Sequence, residues 1–343
     1  MNSQMDIKLE AVTFNHDPAS ATFDALNIRK NDKQFISIPE WQRGISINPE
    51  DSPAAYALFE SRGNAITIRA KFRCTGLTTQ QVEIRALNQH LDSHAHNYFT
   101  GLATQLISPV LRTFVGGPLG DVQGRSVTFS PAGETGHEIF LLQNPRLWEL
   151  GVGVHDITWR WQYRLGPDNP WTDFDTSRHR IYTLLRQPQE PWRQTPFESS
   201  NIELPWTAVL DYACRWAATS QNPTDAATRI THSVHQLGSA GIARYCQAAH
   251  YIRPIINIFK CAQFLFDLRL GGLRLNCTDC GTIVSTFVNI LGGELWQSET
   301  TCFDYNPVLR IGESRWREGH FNYHVVAWEE DCDAHNDIFD ACL

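Results

Sequence analysis

The chain has 343 residues, 42% of them hydrophobic and 19% charged, with 37 acidic against 29 basic side chains. This balance excludes a disordered chain and gives enough length for two cores. The formal charge of −8, with no long basic run, argues against nucleic acid as a partner. The opening residues, MNSQMDIKLEAV, have neither a basic n-region nor an apolar h-region, so no signal peptide is expected. The most apolar run, 255–270, is interrupted by Asn257, Lys260 and Asp267, and no membrane segment is expected. Eight of the nine cysteines follow residue 200. An odd, lopsided set does not read as a secreted disulfide framework. Reduced thiols in a cytoplasmic protein are the expectation, with signal-independent export, as for an injected effector, as the alternative.

The first half is patterned for strands. Ile66, Ile68, Ala70, Phe72 and Cys74 alternate with Thr67, Arg69, Lys71 and Arg73, which predicts a strand with one buried face. Val82–Ala86, Ser126–Ser130 and Ile157–Tyr163 read alike, the last with Trp159 and Trp161 on one side. Gly166-Pro167-Asp168-Asn169 predicts a turn, and His179–Leu185 a further strand. Short strands between turns predict an antiparallel sandwich over 1–186, with an immunoglobulin-like arrangement as one candidate. This half carries no nucleophile and base in pattern and a proline-rich stretch separates it from the rest, so it is expected to fold alone, to position substrate and to do no chemistry. The 90–125 region gives no clear pattern.

Residues 187–206, with Pro188, Pro191, Pro196 and Pro205, predict a linker. The period then turns helical over 207–343. Val209, Tyr212, Ala213 and Trp216 make one stripe, and Asn222-Pro223 opens a helix carrying Ile230, Val234 and Leu237, with Gly238 as its stop. Ile255, Phe259, Ala262 and Phe266 predict another helix, running into Gly271-Gly272.

The last segment carries the chemistry. Asn276 is an N-cap with Asp279 three residues on, and Cys277, Cys280, Val284, Phe287, Val288 and Leu291 recur at helical spacing up to Gly292. Cys277 therefore opens a helix, where unpaired N–H groups and the positive dipole end favour a thiolate nucleophile. Phe321, Tyr323, Val325 and Ala327 alternate with Asn322, His324, Val326 and Trp328, a strand pattern. Ile338-Phe339-Asp340 is a second extended stretch after a turn at 333–337. Paired, the two strands set Asp340 beside His324, giving nucleophile, base and orienter.

These residues resemble the transglutaminase-like branch of the papain-like cysteine enzymes over about 205–343. Gly271-Gly272 precede the cysteine, Gly281 holds the small position four residues after it, and Gly292 closes its helix. His324, Trp328 and Asp340 follow in the family's order. Trp328 lies four residues after the histidine where the family tryptophan commonly lies two after. Gly293-Glu294-Leu295-Trp296 replaces the usual segment after the helix, and three residues follow Asp340 where many members carry further strands. The resemblance implies an α+β core, and Cys277, His324 and Asp340 as catalytic residues. It implies no cofactor, and thiol-dependent acyl transfer from an amide of a protein or peptide to water or to an amine. Hydrolysis, as by a peptidase, amidase or deamidase, is the expected outcome.

Other readings compete with this one. An inactive transglutaminase-like scaffold keeps the fold without the chemistry. Cys277-x-x-Cys280 with His320-x-x-x-His324 can be written as a zinc pattern, but the forty-residue gap is far longer than in a small zinc finger, and no metal is expected. His90, His94 and His96 with Asp92 read as a solvated loop, with a metal site as the alternative, and Asp331-Cys332-Asp333 with His335 and Cys342 has no recognised ligand spacing. His320 competes with His324 as base, and Asp337 with Asp340 as orienter. Asn276-Cys277-Thr278 matches a glycosylation sequon, but a sugar there would block the nucleophile. P-loop, G-x-S-x-G and H-E-x-x-H motifs are absent.

Overall fold

A computed structural model describes residues 5–14, 25–89 and 118–343, apart from 27, 32–33, 37, 46–47, 62–64, 77–80, 189–205, 254–257 and 331. The linker between Gln189 and Pro205 and the His90–His96 cluster lie outside the described residues.

The first half folds as alternation dictates. Thr67–Thr75 buries Ile68, Ala70, Phe72 and Cys74 and pairs with Asp6–Phe14 on one side and Glu138–Leu141 on the other, with Trp41–Gln42 at the edge. A second sheet is built on Gly153–Arg164, flanked by Thr172–Leu184 and by Gln81–Gln89, with Ala54–Ala57 and Val122–Thr128 outermost. All these pairings are antiparallel except Ala54–Ala57 beside Thr172–Leu184. The two sheets pack face to face through aromatic rings. Phe14 stacks on Trp159 at 6.0 Å and Phe72 meets Trp161 edge-on at 5.5 Å. Both tryptophans are fully buried, as the i, i+2 pattern predicts, and each indole N–H finds an acceptor, Gly120 O and Ser177 Oγ.

His179 lies in the same core, 2% exposed, against Phe14 and Trp159. Burial penalises its cation and pulls its pKa down from 6.5 to about 3. The unfolded chain takes up this proton below about pH 6.5, whereas the folded chain resists until about pH 3. Stability should therefore be full above pH 6.5 and fall with a slope of up to about 1.4 kcal/mol per pH unit on acidification. Melting temperatures of His179→Phe, measured from pH 7 to pH 4, should show a flatter decline than those of the unaltered chain.

The second half is α+β. Helices Trp206–Trp216, Pro223–Ser239 and Cys261–Leu270 surround the helix Cys277–Asn289, which lies on a three-stranded antiparallel sheet of Leu295–Val308, Arg317–Glu329 and Ile338–Phe339. Asn222 caps the second helix through Asp225 N–H, with Pro223 at its start, as expected. Gly238 does not stop that helix. It lies inside it, where an added Cβ would fall 2.1 Å from the Gly312 nitrogen, so its small size serves close packing. The third helix also departs from its predicted stripe. It starts at Cys261, because Ile258–Phe259 form a short strand with Ile252–Arg253. Its buried face is Cys261, Phe264, Leu265 and Leu268, whereas Phe266 is 57% exposed.

The halves share one apolar core. The N–H groups of Leu185 and Arg186 both donate to Leu291 O, at 3.0 and 3.1 Å, just beyond the cysteine helix. Arg180, on a strand of the second sheet, pairs with Asp156 and reaches Asp211 on helix Trp206–Trp216. Among the described residues no helix is long and apolar enough to cross a membrane.

Candidate active site

The cysteine helix begins where the sequence predicts. Asn276 accepts from Asp279 N–H through its side chain, and the Asp279 carboxylate accepts from Asn276 N–H, a complete capping box. The first helical residue is Cys277, 6% exposed. Every residue of this helix except Thr278 is buried, so the predicted stripe is only one side of a central element enclosed all round. Two of its polar members are satisfied locally: Ser285 Oγ donates to Gly281 O at 2.7 Å, and Asn289 exchanges two 2.8 Å bonds with Leu295, whereas the Thr282 and Thr286 hydroxyls find no partner among the described residues.

Gly281 sets how closely this helix meets the histidine strand. A Cβ there would fall 3.1 Å from the backbone C and O of Val326 and from a Val325 methyl. With nothing larger than hydrogen at this point, His324 comes down opposite the start of the helix.

His324 is 3% exposed. Its Nε2 lies 2.6 Å from Asp340 Oδ2, and Cys277 lies near enough to act on its pKa. With Nε2 turned to the carboxylate, Nδ1 is the nitrogen left to meet the thiol. Burial alone would lower the imidazole pKa, but the bond to Asp340 and the neighbouring Cys277, with their charges, push it up to about 10. The Phe321 ring stacks on the imidazole at 5.0 Å and 25°, fixing its plane. Arg310 in turn lies 5.6 Å from the Phe321 ring and 4.6 Å from that of Tyr245.

Asp340 follows the short strand Ile338–Phe339, which pairs with Ala327 and Trp328. Its Oδ2 faces His324 while its Oδ1 accepts the N–H groups of Cys342 and Leu343, at 2.9 and 3.3 Å. The carboxylate is thus oriented by main chain on one side and by imidazole on the other. Cys342 and Cys280 are fully buried and lie close together. The neighbouring Cys342, and then burial, push the Cys280 thiol up, opposite to what a nucleophile needs.

The competing residues go elsewhere. His320 pairs with Asp304 at 2.9 Å in an exposed position. Asp337 is exposed, and its carbonyl accepts Glu329 N–H. Among the described residues no group of three or more histidine, cysteine or acidic side chains is arranged to hold a metal ion.

Sequence reasoning missed three supports. Phe321 reads only as an apolar strand position, and alternation sets it on the face opposite His324, so nothing local reveals the stacking of the two rings. Arg310 sits where no periodic pattern exists. Asp279 reads as a cap, and nothing local reveals that it also binds the His250–Tyr251 backbone. No protein-family model and no curated protein matches this chain.

Proposed function

We propose that the chain is a transglutaminase-like thiol enzyme that cleaves amide bonds, with Cys277 as nucleophile, His324 as general base and acid, and Asp340 as orienter. The reading is carried by one arrangement: a buried imidazole bonded to a fixed carboxylate, with a helix-start thiol beside it. Cys277 Sγ attacks the amide carbonyl carbon as its proton resides on His324. The imidazolium delivers that proton to the leaving amine nitrogen as the C–N bond breaks, which leaves a thioester on Cys277. Water then attacks the thioester, His324 takes up its proton, and the C–S bond breaks to release a carboxylic acid and restore the thiol. The Cys277 N–H, at the helix N-terminus, supplies one donor to the oxyanion. Water is the expected acceptor, and a primary amine is the alternative at the same step.

The test is acyl-enzyme trapping. The protein is incubated with a peptide amide library, quenched in acid and mapped by mass spectrometry. A thioester on Cys277 that hydroxylamine discharges supports the proposal. Ordinary, unselective thiol reactivity of Cys277 and no adduct would leave an inactive fold. Release of free acid against incorporation of a labelled amine separates hydrolysis from transfer.

The raised imidazole pKa fixes the alkaline limb. His324 is the proton donor to the leaving amine, and it stays protonated until pH nears about 10. Turnover should hold through pH 9 and decline as pH rises through about 10. A decline centred near pH 6.5 would mean that Asp340 and Cys277 do not hold the imidazolium.

A further inference from the structure

The geometry points to Asp279 as a positioning residue of this site, one that fixes the segment Tyr245–Tyr251 as a wall beside the nucleophile. The assignment rests on the reading of Cys277 as nucleophile. Asp279 is fully buried and lies two residues after Cys277, yet among the described residues no lysine or arginine pairs with it. Three backbone N–H groups compensate its charge instead. Tyr251 N–H donates to Oδ1 at 2.9 Å, His250 N–H spans both oxygens at 2.9 and 3.2 Å, and Asn276 N–H reaches Oδ2 at 3.3 Å. A cap alone needs only the last of these. The other two tie a second segment to the first turn of the cysteine helix.

That segment borders every part of the triad. Its Cys246 N–H donates to Leu275 O, two residues before the nucleophile, at 2.9 Å. Its Tyr245 N–H donates to Ile311 O, and Ile311 N–H donates to Cys342 O, both at 2.9 Å, which leads to the turn that holds Asp340. The Tyr245 ring carries Arg310, which lies over Phe321, the ring stacked on His324. The far end is fixed as well: Lys260 N–H donates to Tyr251 O at 2.7 Å, and Tyr251 Oη donates to Asp267 at 2.9 Å. Between these ties Gln247 and Ala248 are exposed. Asp279 thus sets the spacing between this wall and the helix start, and with it the size of acyl group that reaches a thiol only 6% exposed.

Asp279→Asn keeps the volume but puts an amide donor among donors, which breaks at least one tie to the wall. The readout is Cys277 alkylation by a small reagent, iodoacetamide, and by a bulky one, biotin-maleimide, under native conditions. The expected result is a bulky-to-small rate ratio raised at least tenfold. General destabilisation would raise the ratio too, but through opened chains in which fully buried Cys280 is labelled as well, so the ratio counts only where Cys280 labelling is unchanged. A ratio within twofold of the unaltered protein overturns the assignment. Should Asp279→Asn not fold, His250→Pro removes one donor from the wall without touching the helix, and the same ratio decides. In the unaltered protein, the His250 and Tyr251 amides should exchange with deuterium at least a hundredfold more slowly than that of Gln247, and equal rates overturn the proposal. These readouts need no substrate. A failed acyl-enzyme trap with an altered ratio would remove the proposed function and keep the wall.

Discussion

Cys277→Ala should lose all measurable turnover while the protein stays folded. The side chain is small, stands at a helix start and fills little core, so its removal should cost about 1 kcal/mol of stability. His324→Ala should lose nearly as much activity, because the members of such a unit do not act additively. Asp340→Asn should lose on the order of a thousandfold, since it spoils the tautomer and leaves the thiol in place. Cys280→Ala is the control. It lies one turn along the same helix, beside Cys342, and its loss should cost about 1 kcal/mol and spare the chemistry. Activity is read as thioester formation and acid release, and folding as circular dichroism and melting temperature. Loss of turnover in Cys280→Ala with turnover kept in Cys277→Ala would assign the nucleophile to the wrong cysteine.

Gly281→Val should be almost as damaging by a different route. The new Cβ would start 3.1 Å from the Val326 backbone, and a strand backbone paired on both sides has little room to give. Helix and strand would have to separate, which lengthens the thiol–imidazole contact. Overpacking of this kind costs about 3 kcal/mol, and the β-branched side chain adds its own helix penalty. The expected result is a folded but less stable protein that has lost at least a hundredfold in Cys277 acylation. Gly281→Ala should lie between, because the better helix propensity of alanine offsets part of the contact. Unchanged acylation in Gly281→Val would show that the helix start is held independently of this crossing.

Which parts were legible in the sequence follows from how local their causes are. Asn276 and Asp279 announce the start of the cysteine helix, because capping is settled within four residues. Trp159 and Trp161 announce a buried face, because a strand with one wet side must alternate. The histidine strand is a partial success. Val325, Val326 and Ala327 are all buried, so its second half lies beneath the helix with both faces covered, and alternation no longer describes it. The helix ending at Leu270 was misread at its start because Ile255, Phe259 and Ala262 happen to fit a helical stripe. The chain instead spends Ile258 and Phe259 on a short strand pair, a pairing that local periodicity does not reveal. The same holds for the site. Cys277, His324 and Asp340 could be named from order and setting, but Phe321, Arg310 and the double duty of Asp279 depend on contacts between distant segments.

The enclosure of the cysteine helix gives the protein an internal gauge of its own opening. Cys277 keeps a sliver of exposure, whereas Cys280 and Cys342 have none and lie in an apolar core that runs through both halves. A thiol reagent reaches Cys277 in the native state but should reach Cys280 only through rare excursions that dissolve the core. When reclosing outpaces labelling, the Cys280 rate reports the free energy of the whole fold, and the difference between the two cysteines reports how far the site breathes alone. Two sulfur atoms one helical turn apart thus time local and global motion in a single experiment.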